Sequence, residues 1–176
     1  FSSRGPVDDG RIKPEVVANG LGRFSTINGN NYDSNSGTSF SSPAVMGIAT
    51  LLYERYRELH NDSLPPSALI KNVICNAADD IGNAGPDFSF GFGRINGVRA
   101  AEILEQNHFD SVVVHHNSFV AKTFTVPSGI ASIDVMLMWS DHPSAPYETV
   151  SLVNDLDVFV INPAGDTLRP WVLNYT

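Results

Sequence analysis

The residues best able to do chemistry fall together in Ser36-Gly37-Thr38-Ser39-Phe40-Ser41-Ser42-Pro43. Gly37 permits a tight turn, and hydroxyls follow at the mouth of a stretch whose apolar spacing reads as a helix. Free amides at a helix N-terminus supply positive potential and hydrogen-bond donors, so an oxyanion forming beside Ser39 would be stabilised there. That is a position for a nucleophile. The same residues equally make an ordinary N-cap in a serine-rich loop, because capping is what Ser and Thr do before helices.

A serine hydroxyl is a weak nucleophile at neutral pH and needs a hydrogen-bonded base, itself oriented by a carboxylate. His60, His108, His115, His116 and His142 all follow Ser39 and read as surface or loop residues. His115 and His116 are adjacent in a period-two run, so they point to opposite faces. Asp155 and Asp157 lie two apart in another such run and share a face. With Asp141 or Asn154 they can offer oxygens to a structural calcium ion, while Asx turns and strand-end hydrogen bonds account for the same residues without metal. One cysteine, Cys75, excludes an intrachain disulfide and a cysteine-based zinc site, and its helical setting reads as core.

The elements that must position these groups come next. Residues 1–35 are rich in Gly, Asn, Ser and Pro around a short apolar patch, Val16-Val17-Ala18, and read as loops flanking a buried strand. Val45, Ile48, Ala49, Leu52, Tyr56 and Leu59 then mark one face of a long helix. Its start has two candidates: Ser42 as cap with Pro43 at the first helical position, or Thr38 as cap further upstream. Pro65-Pro66-Ser67 opens a second helix ending near Asp79-Asp80, and Asn96 caps a short third one. Beyond about residue 110 period-two runs take over at 112–116, 120–126, 130–140 and 156–161, and the turn Asn162-Pro163-Ala164-Gly165-Asp166 leads into another. A succession of strands without helices predicts a small antiparallel β-sandwich.

With 176 residues, 42% hydrophobic and 17% charged, the composition is that of a folded globular chain. A formal net charge of −8 and only three scattered lysines argue against nucleic acid or an anionic membrane as partner. No run approaches the roughly 20 apolar residues of a membrane span. Phe1-Ser2-Ser3-Arg4-Gly5 lacks both the start and the apolar core of a signal peptide. Trp171-Val172-Leu173-Asn174-Tyr175-Thr176 reads as a strand entering an unfinished sheet, so the chain is expected to be cut at both ends.

Ser36-Gly37-Thr38-Ser39 followed by Pro43-Ala44 closely resembles the serine motif of the subtilisin-like serine peptidases. Phe1-Ser2-Ser3-Arg4-Gly5-Pro6, Lys13-Pro14-Glu15-Val16-Val17-Ala18-Asn19-Gly20 and Gly91-Phe92-Gly93-Arg94-Ile95-Asn96 resemble three further segments of that family, in the family's order. The resemblance implies that Ser39 is the acylating nucleophile, with its backbone amide one oxyanion donor and Thr38 a hydroxyl beside the hole. It starts the long helix at Ser39 and puts Pro43 just inside the first turn. It places the catalytic aspartate and histidine and the oxyanion asparagine before the segment matched by Phe1-Ser2-Ser3, so this chain alone is expected to be inactive. Asn19 stands where the family usually has proline, which loosens a turn, and the polar stretch 28–35 shapes the approach to the serine.

Trp139-Ser140-Asp141, Leu152-Val153-Asn154-Asp155-Leu156-Asp157 and Asn162-Pro163-Ala164-Gly165 resemble the β-sandwich appended to some secreted members. The fold expected is therefore α/β: residues 1–108 as the C-terminal part of a parallel-sheet, three-layer catalytic domain, and 109–176 as an incomplete, jelly-roll-like antiparallel sandwich. A protein or peptide substrate, no cofactor for the chemistry, and a secreted or cell-surface location follow from the resemblance. A detached half of a parallel sheet exposes an apolar edge, which predicts self-association or a complementary N-terminal half as partner. The competing reading is a binding or scaffold module that works through the sandwich. An α/β-hydrolase is disfavoured because Gly37-Thr38-Ser39-Phe40-Ser41 lacks the second glycine of that elbow. Phe40 stands where the family commonly has methionine, so the residue after the nucleophile has no thioether to oxidise. The parent enzyme is expected to tolerate peroxide at this position, read as residual activity after exposure.

Overall fold

The computed structural model describes residues 1–148 and 151–173. Its elements run β1 (Arg23–Ile27), β2 (Asn31–Asn35), α1 (Thr38–Leu59), α2 (Ser67–Asn76), α3 (Gly97–Glu105), β3 (Val160–Ile161) and β4 (Thr167–Leu168).

The three helices enclose the core. Leu52 of α1, Ile70, Val73 and Ile74 of α2, Ala77 just beyond it, and Ala100 and Leu104 of α3 are buried together. Ile48, Ala49, Tyr53 and Tyr56 pack against them from α1 at the spacing expected of one helix face. Leu59, which the pattern puts on that face, is the last residue of the helix and is exposed. Gly97 lets α3 approach α1: a Cβ there would lie 3.3 Å from the Ile48 side chain. Cys75 is buried, and burial pushes its thiol up to about 11, in keeping with a core residue.

The predicted helix starts of α2 and α3 are met. Pro66 precedes α2 and its carbonyl accepts the amides of Leu69 and Ile70 at 3.0 and 3.4 Å. Asn96 caps α3, its Oδ1 accepting from the Arg99 amide at 3.1 Å. The predicted end of α2 runs too far, because Asp79 exchanges both main-chain hydrogen bonds with Arg94 at 2.8 Å and is unavailable to a helix.

Residues 14–17 lie along residues 91–95. Phe92 donates to the Glu15 carbonyl at 2.8 Å, Val17 to that of Gly93 at 2.9 Å, and Ile95 to that of Val17 at 2.9 Å. Gly91 sits at φ +64° with the carbonyls of Pro14 and Glu15 where a Cβ would be, so only glycine permits this approach. The expected buried strand at 16–18 is thus a single parallel bridge, Val17 to Arg94. Among the described residues no parallel sheet forms; both sheets are antiparallel pairs. A bridge extends into a sheet only when further strands flank it, and none of the described residues supplies them.

The β1–β2 hairpin was not foreseen. Arg23 through Ile27 pairs with Asn35 through Asn31 across Asn28-Gly29-Asn30, with Gly29 at φ +81° and Asn30 at +59°. An Asn-Gly turn between alternating residues is the signal that would have identified it.

Past residue 110 the period-two runs 112–116, 120–126 and 130–140 form no strand, and 156–161 contributes only Val160–Ile161, paired with Thr167–Leu168. Alternation supplies a face, but a ladder needs a partner strand in register, and these runs find none among the described residues. The Asn162 turn is as expected: its Oδ1 accepts the amides of Ala164 and Asp166 at 3.0 and 2.8 Å. Trp171, Val172 and Leu173 are not in a strand, and Asn174, Tyr175 and Thr176 lie outside the described residues.

Glu15 anchors the N-terminal segment to α2 through ion pairs with Lys13 and with Lys71, the latter at 2.7 Å. Burial opposes its charge, yet the two lysine hydrogen bonds prevail and bring its carboxyl down from 4.5 to about 2. A depressed carboxylate contributes stability above its unfolded value, and that contribution is lost as pH falls through the folded one. Unfolding followed between pH 7 and 2 should show stability declining from about pH 4.5 downward. Glu15→Gln should flatten that decline and lower stability at pH 7 by about 1 kcal/mol, after discounting for solvent screening.

Candidate active site

Helix α1 begins at Thr38, which overturns the start at Ser42 and lies one residue before the start that the family pattern implies. Ser39 is its second residue and is exposed, as is Thr38. Pro43 falls at the sixth position rather than in the first turn. Having no N–H, it cannot close the i to i−4 bond on the Ser39 carbonyl. Gly37 is the N-cap and no side chain caps the helix. The Gly37 carbonyl accepts from the Phe40 amide at 3.0 Å, which leaves the amides of Thr38 and Ser39 as the donors at the helix mouth. No acidic side chain occupies the first turn, so the positive end of the helix dipole is uncompensated.

The turn ahead of the serine is fixed from two sides. Gly37 donates its amide to the Gly20 carbonyl at 2.9 Å, and Gly22 donates to Ser36 Oγ at 2.9 Å. Gly20 is buried, and a Cβ there would overlap the Gly37 carbonyl and the Ser41 hydroxyl. Gly20 is therefore a positioning residue whose role the sequence reading did not reach. Asn19, expected to loosen this turn, instead holds it through Oδ1, which accepts the Leu21 amide at 2.9 Å. A groove of about 670 Å³ runs beside the helix mouth, lined among others by Phe1, Val17, Gly20, Thr38, Ser42 and Met46. Phe40 is half-buried.

No base reaches the serine among the described residues: the Ser39 hydroxyl has no hydrogen-bond partner there. His60 follows the far end of the same helix, roughly 30 Å away at 1.5 Å per residue. It is half-buried, stacked on Tyr56 with ring centroids 3.9 Å apart, and its Nδ1 lies 2.9 Å from the Tyr56 carbonyl. His108, His115, His116 and His142 are exposed.

The acidic group is a loop tie. Both oxygens of Asp141 are taken by donors: the Val153 amide at 2.7 Å, the Asn154 amide at 3.1 and 3.2 Å, Asn154 Nδ2 at 2.6 Å and the His142 amide at 2.9 Å. Burial works against its charge, but these donors bring the carboxyl down to about 2. Asp155 and Asp157 alternate with half-buried Leu156 and Val158 on the exposed side. Among the described residues no three His, Cys, Asp or Glu side chains converge on a metal position.

Ser39 thus presents an exposed hydroxyl at a helix N-terminus without a side-chain cap, behind a pinned glycine turn. The chain belongs to the subtilase family, whose model matches residues 1–93. It is 40% identical over 80 residues to the C5a peptidase of Streptococcus pyogenes, covering 44% of this chain and 7% of that protein. It is 32% identical over 145 residues to the PII-type proteinase of Lactococcus lactis subsp. cremoris, covering 71% of this chain and 7% of that protein. It is 26% identical over 201 residues to the serine protease/ABC transporter B family protein tagA of Dictyostelium discoideum, covering 92% of this chain and 11% of that one. The chain thus spans about a tenth or less of these relatives. Its fold is similar to that of the Clostridium perfringens CspB protease, with a TM-score of 0.53 and 35% identity over 60% of this chain and 23% of that one.

Gly20→Ala tests the pinned turn. Overlap with the Gly37 carbonyl should force the turn to move and cost at least about 1–3 kcal/mol of stability, measured by chemical denaturation.

Proposed function

We propose that this chain is the nucleophile-bearing part of a serine endopeptidase acting on protein or peptide substrates. Ser39 Oγ attacks the scissile carbonyl and passes its proton to a histidine base. The C–N bond breaks as that proton is returned to the departing amine, and water then cleaves the acyl-enzyme. The carbonyl oxygen, negative in the tetrahedral intermediate, is met by the Ser39 amide beside the Thr38 hydroxyl. The observation that carries this reading is the exposed Ser39 at the uncapped mouth of α1, inside the segment matched by the family model.

The histidine, its aspartate and the oxyanion asparagine are supplied from outside these 176 residues, so the chain alone does not turn over substrate. The distance of His60 and the exposure of the other four histidines support this assignment. No cofactor is needed for the chemistry. Residues 1–108 are the C-terminal part of a three-layer α/β catalytic domain, which the Val17–Arg94 parallel bridge supports. Residues 109–176 belong to an antiparallel sandwich, for which the antiparallel β3–β4 pair is the support. Met46 and Leu51, 67% and 63% exposed on α1, are apolar surface suited to cover by the rest of that catalytic domain. A secreted or cell-surface location rests on the family resemblance.

Reaction with an active-site serine phosphonate, read by intact mass, tests the assignment. The complete protease should be labelled at Ser39, and neither its Ser39→Ala variant nor this chain alone should react. Labelling of the chain alone would mean that a local histidine activates Ser39, and no labelling anywhere would favour a binding module.

A further inference from the structure

Among the described residues the core cluster draws on residues before 110, and the later segment meets the helices through other contacts. Trp171 lies against Gly85, and a row of polar contacts joins α2 to residues 134–140. Asn72 Nδ2 donates to the Met136 carbonyl at 3.1 Å and Asn76 Nδ2 to the Asp134 carbonyl at 3.4 Å. At the ends, Ser67 Oγ meets Ser140 Oγ at 3.5 Å and an Arg99 nitrogen lies 4.0 Å from Asp134. The segment therefore runs antiparallel to the helix. Met136, Leu137, Met138 and Trp139 are half-buried between these contacts.

The spacing has a simple physical basis. Asn72 and Asn76 are one turn apart on α2, a rise of about 6 Å. Carbonyls two residues apart on an extended chain point the same way and are separated by about 6.6 Å. An i, i+4 pair of side-chain amides on a helix therefore matches the i, i+2 carbonyls of an extended segment. Each amide donates to a main-chain oxygen, so recognition does not depend on the side chains at 134 and 136.

We infer that Asn72 and Asn76 form a main-chain-reading seam that docks residues 134–140 on α2, and that this seam governs whether the segment beyond residue 110 stays attached to the helical unit. The segment is a strap that can release without unfolding the core.

The test uses the full chain with Trp171→Phe as the common background of every variant, so that Trp139 is the sole tryptophan and the lost contact of Trp171 with Gly85 is shared by all. Chymotrypsin cleavage after Leu137, Met138 or Trp139 is followed by mass, beside Trp139 emission and amide exchange of α1 and α3. Asn72→Ala/Asn76→Ala should speed cleavage by about tenfold or more and red-shift the emission, with exchange in α1 and α3 unchanged. Met136→Leu should leave cleavage within about twofold, because the carbonyl it presents is untouched. If the double variant loses its helices, Asn76→Ala alone carries the test, with an expected rise of about threefold or more. Cleavage unchanged on loss of the asparagines, or equally accelerated by Met136→Leu, would overturn the seam.

Discussion

The site depends on one close main-chain approach: the Gly20 carbonyl accepting the Gly37 amide with no room between for a side chain. That contact ties the loop carrying Val16 and Val17 to the turn that launches α1, so the position of Ser39 is set by backbone rather than by a cap. A side-chain cap would occupy the helix-end amides, and those are the donors an oxyanion needs. Holding the turn from behind leaves the helix mouth open.

The same segment is fastened at its other end by several interactions of different kinds. Gly91 and Gly93 admit the carbonyls of Glu15 and Asp79 at distances that no other residue allows. Asp79 links this layer to α3 through Asn96, and Glu15 links it to α2 through Lys71. The helices supply the apolar burial, while hydrogen bonds and charge pairs carry its rigidity outward to the serine. The segment beyond residue 110 joins this arrangement along the polar edge of α2, without sharing its core.

Local rules carried far where the determinants are local. Periodicity located α1, proline opened α2 and Asn96 capped α3, because each of these acts within a few residues. The choice between Ser42 and Thr38 as the cap of α1 could not be made by capping preference, since both satisfy it; the structure takes neither and caps the helix with Gly37, whose amide is held by the Gly20 carbonyl seventeen residues upstream. Asn19 shows the converse: replacement of a rigid residue suggested looseness, yet an Asx hydrogen bond restores the turn.

The sequence by itself determined the nucleophile candidate, the three helices, the buried state of Cys75 and the family, since these rest on residue types at short, fixed spacings. Tertiary structure decided the rest. It separated His60 from Ser39 by the length of a helix, tied Asp141 to the amides of Val153 and Asn154, and left the alternating runs at 112–140 unpaired among the described residues. Each of these outcomes depends on which distant group arrives as partner, and neither alternation nor residue type encodes that arrival.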